Sequence, residues 1–116
     1  MSTQFIKQLR AFVWERCHGL CERCAIPLNP DDWALHHRQL KSRGGTDDIV
    51  NVVALHHHCH NMGTHSVHLR PKDATRRGLI VSSWSDPAQT PLILDDGTSV
   101  ILTSAGTYQR WDGNNE

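Results

Sequence analysis

Four candidate metal ligands constrain how this chain can fold more than any other feature. Two cysteines stand three positions apart at Cys21 and Cys24, and a second pair with the same spacing follows at His56 and Cys59. Thiolate and imidazole are the ligands of a tetrahedral structural zinc site, which takes four of them. The segment between Cys24 and His56 must then bring its two ends together around one ion. A closed site of this kind would stabilise a chain of 116 residues, whose hydrophobic core is marginal.

The histidines predict a second metal site of a different character. Six of the nine histidines lie between His36 and His60. We interpret these two residues as ligands of an open site, with His37 and Asn51 beside it. An open site leaves positions for water and substrate, whereas a closed one is structural. The combination indicates a metal-dependent hydrolase.

The composition bears on compartment and on the oxidation state of the cysteines. No apolar run approaches the length of a membrane span, and none near the start suggests a signal peptide. We therefore expect a cytoplasmic protein without membrane association, in which thiols stay reduced and bind metal. The alternative is that the four cysteines form two disulfides. Cys17 follows the apolar face of a predicted helix and is expected in the core rather than at a metal.

Charge is unevenly distributed along the chain. Residues 1–84 carry 11 Lys/Arg and 7 Asp/Glu, whereas residues 85–116 carry 1 and 5. A basic motif-bearing part suits a phosphate-binding surface, although an excess this small is also ordinary surface charge. We predict a domain over 1–84, with its motif core at 21–68, followed by an acidic extension over 85–116.

The pattern of apolar residues predicts an α+β fold. Apolar positions at helical spacing predict an N-terminal helix over 3–17, and Pro71 opens a second helix over 71–79. Strands over 33–37 and 49–55 flank a Gly44-Gly45 turn and form a hairpin. Between the hairpin and Pro71, the ligands stand at helical spacing. The rest of the chain predicts a β-rich extension with these strands: 79–82, 91–94, 98–103 and 107–111.

Residues 13–68 resemble the HNH endonuclease family. The family pattern is C-x2-C, then a histidine pair or Asp-His, then Gly-Gly, Asn and C-x2-C-His. The matching positions are Cys21 and Cys24, His36-His37, Gly44-Gly45, Asn51, and His56 with Cys59-His60. The later segment GLIVSSWSDP resembles, more weakly, the C-terminal extension of small HNH proteins encoded by bacteriophages.

The resemblance implies a ββα-metal fold, in which a hairpin and a helix hold one catalytic divalent ion against DNA. His37 would be the general base that takes a proton from the attacking water, and a neutral imidazole suits that role. His36 and His60 would bind the catalytic metal. Asn51 would hold the hairpin and orient His37.

A basic segment between the two strands of the hairpin would contact DNA. Its cationic side chains belong to Arg38, Lys41 and Arg43. Those near the Gly-Gly turn would meet phosphates that flank the cleaved bond.

The identity of the catalytic metal and its third ligand depend on departures from the family pattern. The family often has Asp where His36 stands, and a neutral imidazole favours Mn²⁺, Ni²⁺ or Zn²⁺ over Mg²⁺. For the third ligand, helical rise favours His65, one turn beyond His60. The family's His-x2-Pro pattern instead matches His68, which would come within reach if Gly63 ended the helix and the chain folded back.

Two functions from different classes follow. The first is a metal-dependent DNA endonuclease or nickase, acting in the host cytoplasm if phage-encoded. The alternative is a non-catalytic zinc module that binds DNA or a partner protein, for example in phage DNA packaging. The enzyme is favoured because binding alone requires neither His37 nor Asn51.

Overall fold

The computed structural model describes residues 3–62 and 67–112 of the chain. Helix α1 spans Thr3–Cys17, as the apolar spacing predicts, and turns Leu9 and Val13 into the core. His18 and Gly19 follow with φ values of 56° and 72°. Because two successive left-handed residues cannot continue a helix, the chain turns there toward the first cysteine pair.

The predicted hairpin is present. Strand β1, Ala34–His37, pairs antiparallel with strand β2, Val52–Leu55. All four residues of β2 are buried, and the strand packs against α1. It begins at Val52, three residues later than the apolar run 49–55 predicts, because the Asn51 backbone amide belongs to a turn and donates to the Asp48 carbonyl at 2.8 Å.

The loop between the two strands is held by one side chain. Asn51 accepts from the Gln39 amide at 2.8 Å and donates to the carbonyls of Gln39 and Thr46 at 3.0 and 2.8 Å. A Cβ on Gly45 would lie 1.8 Å from the Gln39 carbonyl oxygen, so this approach requires glycine. Lys41–Arg43 form a single 3₁₀ turn on the exposed side of the loop.

The segment after β2 is helical, as the ligand spacing predicts, but short. His58–Met62 form a π-helix. Further on, the Val67 amide donates to the Cys59 carbonyl at 2.9 Å, and the His68 amide donates to the His60 carbonyl at 3.3 Å. The chain has therefore folded back alongside the helical turn by residue 67.

The second half of the chain adds a short helix and a small sheet. Helix α2, Pro71–Arg76, is shorter than predicted and ends before Gly78, whose φ is 77°. The segment 79–82 is not a strand, since among the described residues it makes a single backbone–backbone bond to the hairpin, from Val81 N to Arg38 O at 2.8 Å. The strands that follow helix α2 pair antiparallel in chain order: β3 (Leu92–Ile93), β4 (Ser99–Leu102) and β5 (Tyr108–Arg110).

One hydrophobic core joins these elements, and the fold class is α+β as predicted. Its fully buried aliphatic side chains come from every part of the chain: Val13, Val52, Leu55, Val67, Leu79, Leu92 and Leu102. Cys17 also lies in this core, as expected, and all four cysteines are free thiols. Residues before and after position 84 therefore share one core, and the boundary predicted there stays a prediction.

Among the residues that the structure describes, no helix is both long and apolar enough to cross a membrane.

Candidate functional site

The first cysteine pair, the second pair and the ends of the hairpin meet in a closed cluster. The ligand atoms of Cys21, Cys24, His56 and Cys59 all lie within 4.8 Å of one another. The Cys24 Sγ lies 3.4 Å from His56 Nδ1. Tetrahedral bonds of ~2.3 Å to sulfur and ~2.0–2.1 Å to nitrogen would place such a pair ~3.5 Å apart. This donor set therefore fits a structural metal ion.

Two further contacts prepare this cluster for a cation. His56 Nε2 lies 3.1 Å from the Pro27 carbonyl. Because a carbonyl only accepts, Nε2 carries the proton and Nδ1 is left to bind metal. A hydrogen bond with the Cys59 thiol lowers the pKa of Cys21 to about 4, while the same contact raises the pKa of Cys59. One thiolate is thus already favoured.

Three histidines form a second, open cluster. The ring nitrogens of His36, His60 and His68 lie within 4.8 Å of one another, and the two Nε2 atoms of His60 and His68 are 3.4 Å apart. Two imidazoles on one tetrahedral ion would be separated by ~3.3–3.4 Å. His36 is buried, His60 is half-buried and His68 is exposed, so one side of the cluster faces solvent. His65 lies outside the described residues.

Burial favours the neutral form of His36 and His60. Burial lowers the pKa of His36 to about 4, with a smaller contribution in the same direction from His60 and His68. Burial also lowers the pKa of His60, again with His68 adding to it. The His36 Nε2 lies 2.6 Å from the Leu79 carbonyl and donates to it, which leaves Nδ1 as the ligand atom. Neutral imidazole is the form that binds metal.

His37 follows His36 on β1, and its ring is held by Asp47, which was not predicted as a site residue. Its Nε2 lies 2.7 Å from Asp47 Oδ1, and Lys41 Nζ lies 3.0 Å from Asp47 Oδ2. The hydrogen bond from His37, and to a lesser degree Lys41, holds the pKa of Asp47 below its usual value. The only sequence signal was the Asp pair after Gly44-Gly45, which predicted a turn. The Asn51 amide holds the loop, but the contact to the His37 ring is made by Asp47.

Arg38, which the sequence predicted to contact DNA, is buried instead. Its side chain is only 1% exposed. The guanidinium donates to four carbonyls at 2.7–3.0 Å, and these belong to Val50, Gly78, Pro87 and Thr90. Arg38 therefore ties the hairpin to the second half of the chain. Lys41 and Arg43 are both exposed on the loop beside His37.

A buried ion pair joins Arg16 of α1 to Glu22, which directly follows Cys21, and the sequence did not predict it. Glu22 accepts from Arg16 Nε and Nη2 at 2.9 and 2.7 Å, and both side chains are fully buried. The same carboxylate accepts from the Ala54 amide at 2.8 Å and from the Tyr108 hydroxyl at 2.7 Å. The contacts connect α1, the cysteine turn, β2 and β5.

A hairpin followed by a helical turn, with histidines converging from both, defines the ββα-metal class of domain. Residues 21–66 match the family model described as HNH endonuclease. The match covers less than half of the chain and marks this stretch as similar to an HNH domain. No curated protein and no solved structure gives a match to the chain.

Proposed function

We propose that this protein is a metal-dependent DNA endonuclease or nickase that hydrolyses phosphodiester bonds. The observation that carries the proposal is the three-histidine cluster, which is open to solvent on one side and adjacent along β1 to the partly exposed His37. A metal site with a purely structural role would not need to leave one side open to solvent. It would also not need a histidine such as His37, hydrogen-bonded to a carboxylate, beside it.

The closed cluster would hold a structural Zn²⁺. Three sulfurs and one imidazole nitrogen are donors that zinc prefers over harder divalent ions. Cys21 lies in the hydrophobic core, and Cys24 and Cys59 pack against it. An ion there would link the turn after α1 to the end of β2.

The open cluster would hold the catalytic divalent ion, and we propose His68 as the third ligand in place of His65. The support for His68 is its Nε2, 3.4 Å from that of His60. Three neutral nitrogen donors favour Mn²⁺, Ni²⁺ or Zn²⁺ over Mg²⁺. A bound cation would polarise the phosphoryl group and stabilise the leaving 3′-oxygen.

His37 would be the general base. Its ring would accept a proton from water as the water oxygen bonds to phosphorus and the bond to the 3′-oxygen breaks. Lys41 and Arg43, exposed on the adjacent loop, would contact neighbouring phosphates and hold the strand in place.

A plasmid-nicking assay with Mg²⁺, Mn²⁺, Ni²⁺ and Zn²⁺ in turn tests the proposal. His37→Ala should lower the rate by ~10²–10⁴-fold, the usual contribution of a general base, while fold and metal content stay unchanged. The matched control is His58→Ala, an exposed histidine outside both clusters, which should cleave as wild type does. Wild-type cleavage by His37→Ala would refute the mechanism. DNA binding without cleavage in any metal would favour the non-catalytic zinc module instead.

A further inference from the structure

The carboxylate of Asp47 is engaged on both oxygens, by His37 and by Lys41. Oδ1 lies 2.7 Å from His37 Nε2 and Oδ2 lies 3.0 Å from Lys41 Nζ. Its side chain is 9% exposed, whereas that of Lys41 is 60% exposed. The contact to the imidazole is therefore sheltered from water, unlike an ordinary surface ion pair.

The chemistry of this contact determines which nitrogen of His37 is basic. An ionised carboxylate has no hydrogen to donate, so Nε2 must carry the proton in the 2.7 Å bond. In a neutral imidazole, Nδ1 then keeps its lone pair. Among the described residues, no hydrogen bond to Nδ1 of His37 occurs. The atom that can take a proton from water is thus specified as Nδ1.

The loop holds Asp47 in place for this contact. The preceding residue, Thr46, accepts from the buried Asn51 amide through its carbonyl at 2.8 Å. Two residues on, the Asp48 carbonyl accepts from the Asn51 backbone amide at 2.8 Å. Asn51 therefore fixes the chain on both sides of Asp47.

We propose that Asp47 is a positioning residue that fixes the ring orientation and tautomer of His37. The proposal rests on the proposed role of His37 as general base. Lys41 holds the second oxygen of the carboxylate and so keeps its plane turned toward the imidazole. When the ring gains a proton at Nδ1, the adjacent carboxylate stabilises the positive charge, as the orienting carboxylate of a catalytic triad does.

Nitrogen-15 NMR of the His37 ring tests the positioning independently of DNA cleavage. In zinc-loaded protein at pH 8, the wild type should show the tautomer with hydrogen on Nε2. Asp47→Ala should convert this to a mixture with the Nδ1-H form. The matched control is Asp48→Asn, which removes the same charge from the same loop at an exposed residue and should leave the tautomer unchanged. An Nδ1-H tautomer in the wild type, or no change in Asp47→Ala, would overturn the proposal.

Cleavage kinetics provide a second readout. Asp47→Ala should lower kcat by ~10–100-fold, the usual cost of losing an orienting partner, with KM and metal affinity unchanged. Asp47→Glu should recover part of the loss, and Asp48→Asn should match the wild type. Unchanged kcat in Asp47→Ala would contradict the inference. A wild type with the expected tautomer but no cleavage would instead contradict the proposed function and leave the positioning of the ring established.

Discussion

Replacing Glu22 by Gln tests whether the buried ion pair organises the fold around the first cysteine pair. The substitution preserves size but removes the charge that faces Arg16. Glu22 accepts four hydrogen bonds, from Arg16 Nε and Nη2, the Ala54 amide and the Tyr108 hydroxyl, at 2.7–2.9 Å. A glutamine replaces one accepting oxygen by an NH₂ group, so at least one of these donors loses its acceptor and faces another donor.

The magnitude follows from the burial of both partners. The side chains of Arg16 and Glu22 have no exposed surface, so solvent does not screen the charge left on Arg16. Removing one partner of such a pair costs about 3–5 kcal/mol. The whole stability of a small domain is ~5–15 kcal/mol, so Glu22→Gln should leave the fold marginal.

Urea unfolding of zinc-loaded protein, followed by circular dichroism, measures this cost. With a urea dependence of ~2 kcal/mol/M, the midpoint should fall by ~1.5–2.5 M. Glu15→Gln is the matched control, because Glu15 is exposed on the helix that carries Arg16, and it should stay within ~0.5 kcal/mol of wild type. If Glu22→Gln does not fold, Tyr108→Phe is measured in its place. This substitution removes one hydrogen bond to the Glu22 carboxylate and should lower the free energy of unfolding by ~1.5–3 kcal/mol. Midpoints of Glu22→Gln and Tyr108→Phe equal to that of Glu15→Gln would refute the reasoning.

Three further predictions concern the metal sites and the loop. Purified protein should contain one tightly bound zinc, and Cys24→Ala should lose cooperative folding. The reason is that a structural zinc contributes on the order of 10 kcal/mol to the stability of a small domain. Elemental analysis that finds no zinc would contradict this. His68→Ala should lose more affinity for the catalytic metal than His65→Ala in calorimetry on zinc-loaded protein, and equal affinities would argue against His68 as a ligand. Asn51→Ala should lower the free energy of unfolding by roughly 2–4 kcal/mol, because the buried backbone N–H and C=O of Gln39 both lose their hydrogen-bond partner. A urea midpoint equal to that of wild type would disprove this.

Several elements were predictable because their signals are local. The helix at Thr3–Cys17 follows from apolar spacing, and its end follows from Gly19. The hairpin was predicted from two strand-forming segments on either side of two glycines. Its second strand was predicted to start too early because Asn51 lies in an apolar run, and only the folded loop shows that its backbone forms a turn.

The path of the chain after His60 could not be obtained in the same way. Helical rise favoured His65 as the partner of His60, and a continuing helix would have left His68 two turns away. The described residues instead show a short π-helix and a returning chain, with His68 bonded to the His60 backbone. Where a helix ends depends on what its last turn packs against, and this is not a local property.

The sequence by itself indicated the donor types of the two candidate metal clusters, because ligand type and spacing are properties of short segments. It did not determine the roles of the charged side chains around them. Arg38 and Glu22 stand in polar segments that predict exposure, yet both are buried against residues from distant parts of the chain. Asp47 appeared only as part of a turn, yet it makes the contact to His37. The partner of a polar side chain depends on which remote elements pack beside it, and the tertiary structure alone decides that.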